Sequence, residues 1–170
     1  KRAEAVKQLA QKAGWSVVMV DPQTFRVAAA NPATEAMLRA TRPLPGRLLA
    51  ELFSPEERAL LPERVRQIGE QGHLNYESVW LRDDGTTLPV HIQVTVYRDE
   101  DGRLWRVANV QDITERKRAE AALAESAALF RQLADIGSDF FWEIDEAYRF
   151  KSISPQIRER SGLDYEAYIG

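Results

Sequence analysis

The clearest pattern along the chain is the alternation of apolar and polar residues over 86–98, where Leu88, Val90 and Ile92 alternate with Pro89 and His91. A period of two places successive side chains on opposite faces of a β-strand, so this segment predicts a strand with one apolar face. Strand patterns also occupy 74–81 and 104–112, and the glycine turns at 83–85 and 99–102 separate the three. The second half of the domain therefore predicts consecutive antiparallel strands.

The first half of the chain combines two short strands with helix starts. Segments 15–21 and 24–30 predict a hairpin, and Asn31 followed by Pro32 is typical of an N-cap and a first helical position. Ser54 and the residues after it predict a helix that runs to about residue 71, with a break caused by Pro62. Antiparallel hairpins with helices between them indicate an α+β fold.

The most informative stretch joins a strand to a helix without any glycine or proline. A β-branched, aromatic-rich strand over 104–112 passes through Asp112, Ile113 and Thr114 into a charged helix. Asp112 or Thr114 can cap free backbone N–H groups, and Glu115 suits the positive end of the helix dipole. The sequence therefore predicts that a sheet and a long helix are mechanically joined here, and that these three residues transmit any movement.

The sequence QDITERKR at 111–118 resembles the end of a PAS sensory domain, where the last strand leaves through an Asp-Ile-Thr turn into a signalling helix. The resemblance implies a five-stranded antiparallel sheet with the last strand central, short helices on one face, and a long connecting helix. Segments 140–145 and 148–150 echo the first hairpin, which indicates a tandem second copy. We expect an N-terminal flanking helix at 1–13, a PAS domain at 14–114, a linker helix at 115–136 and a partial second PAS domain at 137–170.

The linker has a seam of residues spaced alternately by three and four positions, as in a coiled coil. Two interpretations stay open: the helix lies on its own domain, or it pairs with a second copy in a parallel homodimer that carries signals. The resemblance favours the dimer. The seam residues are Ala119, Leu123, Ser126, Phe130 and Leu133, preceded by Arg116.

Composition narrows the class of protein. The chain has 170 residues, 44% of them hydrophobic and 29% charged, with a net charge of −3 and no cysteine. This is ordinary globular material, without the basic character of a nucleic-acid-binding protein and without an apolar run that could span a bilayer. We expect a cytoplasmic segment with no direct membrane contact. The chain begins without Met and stops within a repeat pattern, which suggests an excerpt from a longer protein.

Candidate chemistry is sparse. His73 and His91 are the two histidines, and neither belongs to a spaced cluster with carboxylates, so the sequence predicts no enzyme and no metal site. Haem-binding PAS relatives use a histidine on the long helix, and His73 lies past that helix. Light-sensing flavin relatives need a cysteine after the Gly46-Arg47 position and place a glutamine where Val110 stands. The resemblance therefore disfavours haem and flavin and leaves room for an unknown small ligand.

Apolar residues on the inner faces of the predicted elements are candidates to line a pocket, although a filled core is the simpler interpretation. Arg106 is the polar residue on that face of the last strand, where it meets an anionic ligand or points to the rim. We expect Trp80 and Trp105 on the sheet surface or at a dimer contact. The pocket candidates are Met37, Leu49, Phe53, Val65, Ile68, Val90, Ile92, Val94, Arg106, Ala108 and Val110.

These observations predict a non-catalytic sensory and dimerisation module from a multidomain bacterial-type signalling protein. Its output domain, such as a histidine kinase or a diguanylate cyclase, would follow in the parent chain. The alternative is a constitutive dimerisation scaffold with a filled core and no ligand. In the sensory interpretation, a ligand or partner shifts the last strand and thereby the linker seam.

Overall fold

The computed structural model describes residues 15–137 and 142–154. The predicted flanking helix at 1–13 lies outside these residues, as do 138–141 and 155–170 of the predicted second unit. The described residues divide into two compact units, with the boundary between Lys117 and Arg118. None of the described helices is both long and apolar enough to cross a membrane.

A five-stranded antiparallel sheet forms the frame of the first unit. Its strands lie side by side in the order β2-β1-β5-β4-β3. Strand β5 is therefore central, between β1 and β4, as the family resemblance implied. The strands are β1 (Ser16–Val20), β2 (Val27–Ala30), β3 (His73–Leu81), β4 (Thr87–Arg98) and β5 (Leu104–Asp112).

Strand β4 confirms the alternation read from the sequence. Leu88, Val90, Ile92 and Val94 are buried on its inner face, whereas the residues between them are partly or fully exposed. Pro89 is the third residue of this strand, close to its start as predicted. The same inner face continues across β1, β3 and β5, and the helices pack on it. The core consists mainly of Val18, Val20, Val27, Leu38, Leu44, Leu52, Phe53, Trp80, Leu88, Val90, Ile92 and Val110.

Short helices cover the inner face of the sheet. Helix α1 (Pro32–Leu38) begins at Asn31, whose Oδ1 accepts hydrogen bonds from the backbone N of Thr34 at 3.1 Å and from that of Val17 at 3.0 Å. A 3₁₀ turn (Leu49–Leu52) and α2 (Pro55–Arg58) follow. Helix α3 (Leu61–Gln71) starts where Pro62 interrupts the run, as predicted.

Several predicted boundaries were too generous. The second strand begins at Val27 and not at residue 24, because the chain turns first and Phe25 adopts a positive φ of 55°. The helical pattern after Pro32 extends to residue 40, but helix α1 ends at Leu38 because Arg39 is left-handed, with φ 50°. In both places a local hydrogen-bonded turn prevails over the apolar pattern on which the prediction rested.

Helix α4 (Thr114–Gly137) follows β5 directly. Beyond it, β6 (Trp142–Ile144) and β7 (Phe150–Ile153) form an antiparallel hairpin. This hairpin has a register shift between Glu143 and Ile144, and Tyr148 in its turn has φ 60°.

Candidate functional site

A cavity of about 40 Å³ lies between the inner face of the sheet and the helices. Eight of the eleven predicted pocket residues line it, and they come from the 3₁₀ turn and the residue after it, α3, β4 and β5. Strand alternation places the residues of β4 and β5 on this side, and the helical spacing of three and four does the same for α3. These eight are Leu49, Phe53, Val65, Ile68, Ile92, Val94, Arg106 and Ala108.

Three predicted pocket residues do not line the cavity. Val90 and Val110 are fully buried members of the core cluster, packed among their neighbours. Met37 is partly buried and packs against the same cluster from α1. Their side chains fill the interior beside the cavity instead of bordering it.

The prediction for Trp80 was wrong, because this side chain is not on the sheet surface. It is 2% exposed, lines the cavity, and meets the Phe53 ring edge-on at a centroid distance of 6.4 Å. Trp80 pairs with Leu88, so it shares the inner face of that residue. The sequence contains this information: if the two strands pair around the turn at 83–85, Trp80 lies opposite Leu88 and therefore on the same face of the sheet. Trp105 is half-buried, and its Nε1 donates to Asp99 Oδ2 at 2.9 Å.

Other lining residues were missed because their positions depend on pairing between distant segments. Val18 and Val20 come from β1, and β1 pairs with β5. Tyr76 lies opposite Ile92 on β3, and Arg64 reaches the cavity from α3. A charged helix residue such as Arg64 gives no sequence signal of burial.

Arg106 brings a positive charge to a mostly apolar lining, as Arg64 does from α3. Its Nη1 atom is buried and has no hydrogen-bond partner among the described residues. The guanidinium carbon lies 5.5 Å from the centroid of the Phe25 ring, a distance at which a cation still interacts with the ring face. Burial lowers the pKa of Arg106 from its ordinary value, although an arginine remains protonated at neutral pH.

Arg64 has its counter-charge nearby, in a network that joins α2, α3 and β3. Arg64 Nη2 donates to Glu57 Oε2 at 2.6 Å, and Ser78 Oγ donates to the same oxygen at 2.7 Å. The Arg64 guanidinium lies over the Tyr76 ring, 4.4 Å from its centroid. Burial acts to raise the pKa of Glu57, but the hydrogen bonds from Ser78 and Arg64 outweigh it, and the pKa is lowered. Burial raises the pKa of Tyr76 to about 12.

A wider groove of about 480 Å³ lies on the helical side of the same unit. Leu49, Leu61 and Val65 border both the groove and the inner cavity. Phe25, which covers Arg106, also lines the groove and is 40% exposed. The cavity and the groove therefore share an apolar wall.

The strand-to-helix junction is tightly anchored. Ile113 is 5% exposed, and its backbone N donates to Pro89 O at 3.1 Å. Asp112 Oδ1 accepts from the backbone N of Thr114 at 2.8 Å and from its hydroxyl at 2.6 Å. The capping group is therefore Asp112, one of the two residues that the sequence offered for this role. Glu77 on β3 forms ion pairs with Arg116 and Lys117 in the first turns of α4.

The five predicted seam residues lie on α4, and all five are exposed. Leu123 is 74% exposed, Phe130 51% and Leu133 60%. Leu129, beside the seam, is 56% exposed. Large apolar side chains with this much accessible surface are typical of a face that another protein surface covers.

The described residues contain no cluster of three or more His, Cys, Asp or Glu that could hold a metal ion. His73 is exposed at the start of β3, and its Nδ1 lies 3.1 Å from Gln71 O. His91 lies opposite Gln111 and faces away from the inner side of β4.

Comparisons with known proteins agree with this architecture. A PAS domain family model matches residues 16–115. A PAS domain from a two-component sensor histidine kinase is 18% identical, with a TM-score of 0.54 over 65% of this chain and 96% of that one. The Rhodobacter sphaeroides LOV protein is also 18% identical, with a TM-score of 0.59 over 80% of this chain and 81% of that one.

An RNA-binding Light-Oxygen-Voltage receptor is 21% identical, with a TM-score of 0.58 over 74% of this chain. The chain spans about 37% of the length of that receptor. No curated protein sequence matches. The structural likenesses establish the fold, and the family model covers more than half of the chain. The chain belongs to the PAS domain family.

Proposed function

We propose that this chain is a non-catalytic sensory and dimerisation module of a multidomain, cytoplasmic signal-transduction protein. The observation that carries the proposal is the direct continuation of β5 into α4. Arg106 and Ala108 on β5 line the cavity, and the same strand ends at Asp112. Helix α4 begins two residues later, at Thr114. A change in the cavity therefore acts on the element that leads into the linker.

The mechanism requires a stiff connection. Ile113 is held by burial and by its bond to Pro89, while Asp112 fixes the first turn of the helix. Glu77 links that turn to β3 as well, so the helix start is tied to two strands. A ligand that binds one arrangement of β5 better than another shifts the population between the two. The shift would rotate or re-register the linker seam.

Dimerisation is the second part of the proposal. Leu123, Phe130 and Leu133 offer apolar side chains at the spacing of a coiled-coil seam. A parallel homodimer would cover this exposed surface, and output domains at the end of the parent chain would then be brought together.

The hairpin of β6 and β7 supports a tandem second PAS domain. In the first hairpin, Asp21 N donates to Arg26 O at 2.9 Å, and in the second, Asp145 N donates to Arg149 O at 2.8 Å. The register of the first hairpin shifts just before its turn, and so does that of the second. A residue with positive φ precedes the second strand in both hairpins, namely Phe25 with 55° and Tyr148 with 60°. Shared irregularities of this kind are more specific than shared strands.

Filling the cavity tests the transmission route. We expect the variant Ala108→Leu, which adds bulk to the cavity wall of β5, to change hydrogen exchange at the backbone amides of residues 114–117. The matched control is Ala28→Leu on the exposed side of edge strand β2, which should leave those amides unchanged. Equal exchange in both variants and the wild type would remove the support for the mechanism.

A constitutive dimerisation scaffold is the second candidate function, and the small volume of the cavity favours it. A filled core needs no ligand to be stable. The Ala108→Leu variant distinguishes the two functions. A scaffold dimerises through α4 and shows no change in hydrogen exchange at residues 114–117 when the cavity is altered. Mass measurement by light scattering alongside the exchange data separates them.

A further inference from the structure

The charge on Arg106 is not balanced by any described residue. Its Nη1 atom is buried without a hydrogen-bond partner, and no ion pair among the described residues includes this side chain. The proton cannot leave, because arginine stays charged in proteins. The face of the Phe25 ring supplies partial compensation. A partly buried charge without a counter-ion is unfavourable, so the surroundings of Arg106 favour an anion.

The other cation of the cavity does not share this property. Arg64 is 2.6 Å from Glu57 Oε2 and donates a second bond to Ser78 Oγ at 3.1 Å. Its charge is therefore matched within the protein. Trp80 Nε1 is the other donor of the lining that is buried and lacks an acceptor among the described residues. Trp80 lies opposite Leu88 and Arg106 opposite Val96, so the two donors belong to different ends of β4.

The rest of the lining selects an apolar group of small size. Val18, Val65, Ile92, Val94 and Ala108 provide hydrocarbon surface. The volume of about 40 Å³ favours a short alkyl chain over a long one. An anion with a short alkyl tail satisfies both conditions, whereas a dianion or a polyol would leave polar atoms against hydrocarbon.

The neighbouring groove offers a way in. Phe25 borders this groove and covers the guanidinium of Arg106. Leu49, Leu61 and Val65 form the wall that the groove shares with the cavity. A ligand that enters tail first would pass this wall and leave its anionic end beside Arg106.

We propose that the cavity binds a short-chain monocarboxylate, with the carboxylate on Arg106 and the alkyl tail among the apolar residues of β1, β4 and α3. This assignment rests on the sensory function proposed above and gives its ligand a chemical class. Bound carboxylate would supply the missing counter-charge and accept hydrogen bonds from the guanidinium. Trp80 lies toward the other end of β4, away from the carboxylate.

Titration calorimetry of the 170-residue chain with butyrate tests the proposal. Butyrate should bind, and Arg106→Gln should weaken its affinity about 10- to 100-fold, since hydrogen bonds to charged groups contribute this much. The matched control is Arg98→Gln, because Arg98 lies exposed on the neighbouring strand and bonds Gly102 O at 2.7 Å. That variant should bind butyrate like the wild type.

The neutral isostere butyramide gives a readout that needs no variant. It should bind the wild type at least about ten-fold more weakly than butyrate, because it lacks the charge that pairs with Arg106. Octanoate should also bind more weakly, because its tail exceeds the cavity. Absence of butyrate binding, or equal affinity for butyrate and butyramide, would overturn the carboxylate site.

Hydrogen exchange measured with and without butyrate, together with the titration, distinguishes failure of this proposal from failure of the proposed function. Binding of butyrate without any change in hydrogen exchange at residues 114–117 would support the carboxylate site and contradict transmission. Failure of butyrate to bind, together with a response to Ala108→Leu, would contradict the carboxylate site and leave transmission supported.

Discussion

Replacing Glu57 by Gln should destabilise the domain far more than the same change at Glu63. Glu57 pairs with Arg64, and their side chains are 19% and 13% exposed. Glu63 pairs with Arg66 on the surface, where the side chains are 53% and 56% exposed. Removing one partner of a buried pair leaves the other charge uncompensated, whereas exposed pairs contribute little.

The magnitude follows from the burial. Breaking a fully buried ion pair costs about 3–5 kcal/mol, and the residual exposure of Glu57 and Arg64 reduces this. We expect Glu57→Gln to lower the free energy of unfolding by about 2–3 kcal/mol, because Arg64 keeps its charge beside Tyr76. Glu63→Gln should be close to the wild type. Urea unfolding, followed by tryptophan fluorescence, measures both variants. Equal losses in the two would refute the argument from burial.

The pH dependence provides an independent check on the same carboxylate. The folded-state pKa of Glu57 is below its ordinary value of 4.5, so its ionised form stabilises the fold at pH values above 4.5. This contribution is lost as the pH falls through the lowered folded-state pKa. Glu57→Gln removes the group, so its unfolding free energy should fall less steeply than that of the wild type as the pH decreases below about 4.5. Parallel curves for the two proteins would contradict the assignment.

Two further predictions concern the start of α1 and the linker seam. Asn31→Ala should lower the free energy of unfolding by about 2–4 kcal/mol, because it leaves several buried backbone groups without their bonds, while Asn75→Ala on the exposed face of β3 should have little effect in the same urea assay. Leu123→Lys together with Phe130→Lys should abolish dimerisation measured by light scattering. Ala121→Lys, on the opposite face of the helix, should leave dimerisation unchanged. If the double variant still forms a dimer, these residues are not the dimer contact.

Local patterns predicted most of the sheet. The alternation in β4 and the absence of breakers between β5 and α4 depend on neighbouring residues only, and both were read correctly. Asn31 and Pro32 announced α1 in the same way. The order of the strands came from the family resemblance, because hairpins identify only pairs of consecutive strands and do not show that β1 pairs with β5.

Features that depend on pairing between distant segments were harder to predict. The network of Glu57, Arg64 and Ser78 joins three elements, and nothing near these residues in the sequence signals that they meet. Trp80 was assigned to the surface because the pairing of its strand with β4, which places it opposite Leu88, was not considered. The sequence placed Arg106 on the inner face, but the lack of a counter-charge could be recognised only once its neighbours were known.

Because α4 starts at Thr114, directly after β5, the direction in which each residue of the linker points is fixed relative to the end of β5. Each residue of an α-helix turns the chain by about 100° and advances it by 1.5 Å. One inserted residue would therefore point everything beyond it toward a different side, whereas seven would nearly restore the original direction and add about 10 Å of reach. Proteins that reuse this module with other effectors should accordingly vary their linkers in whole heptads.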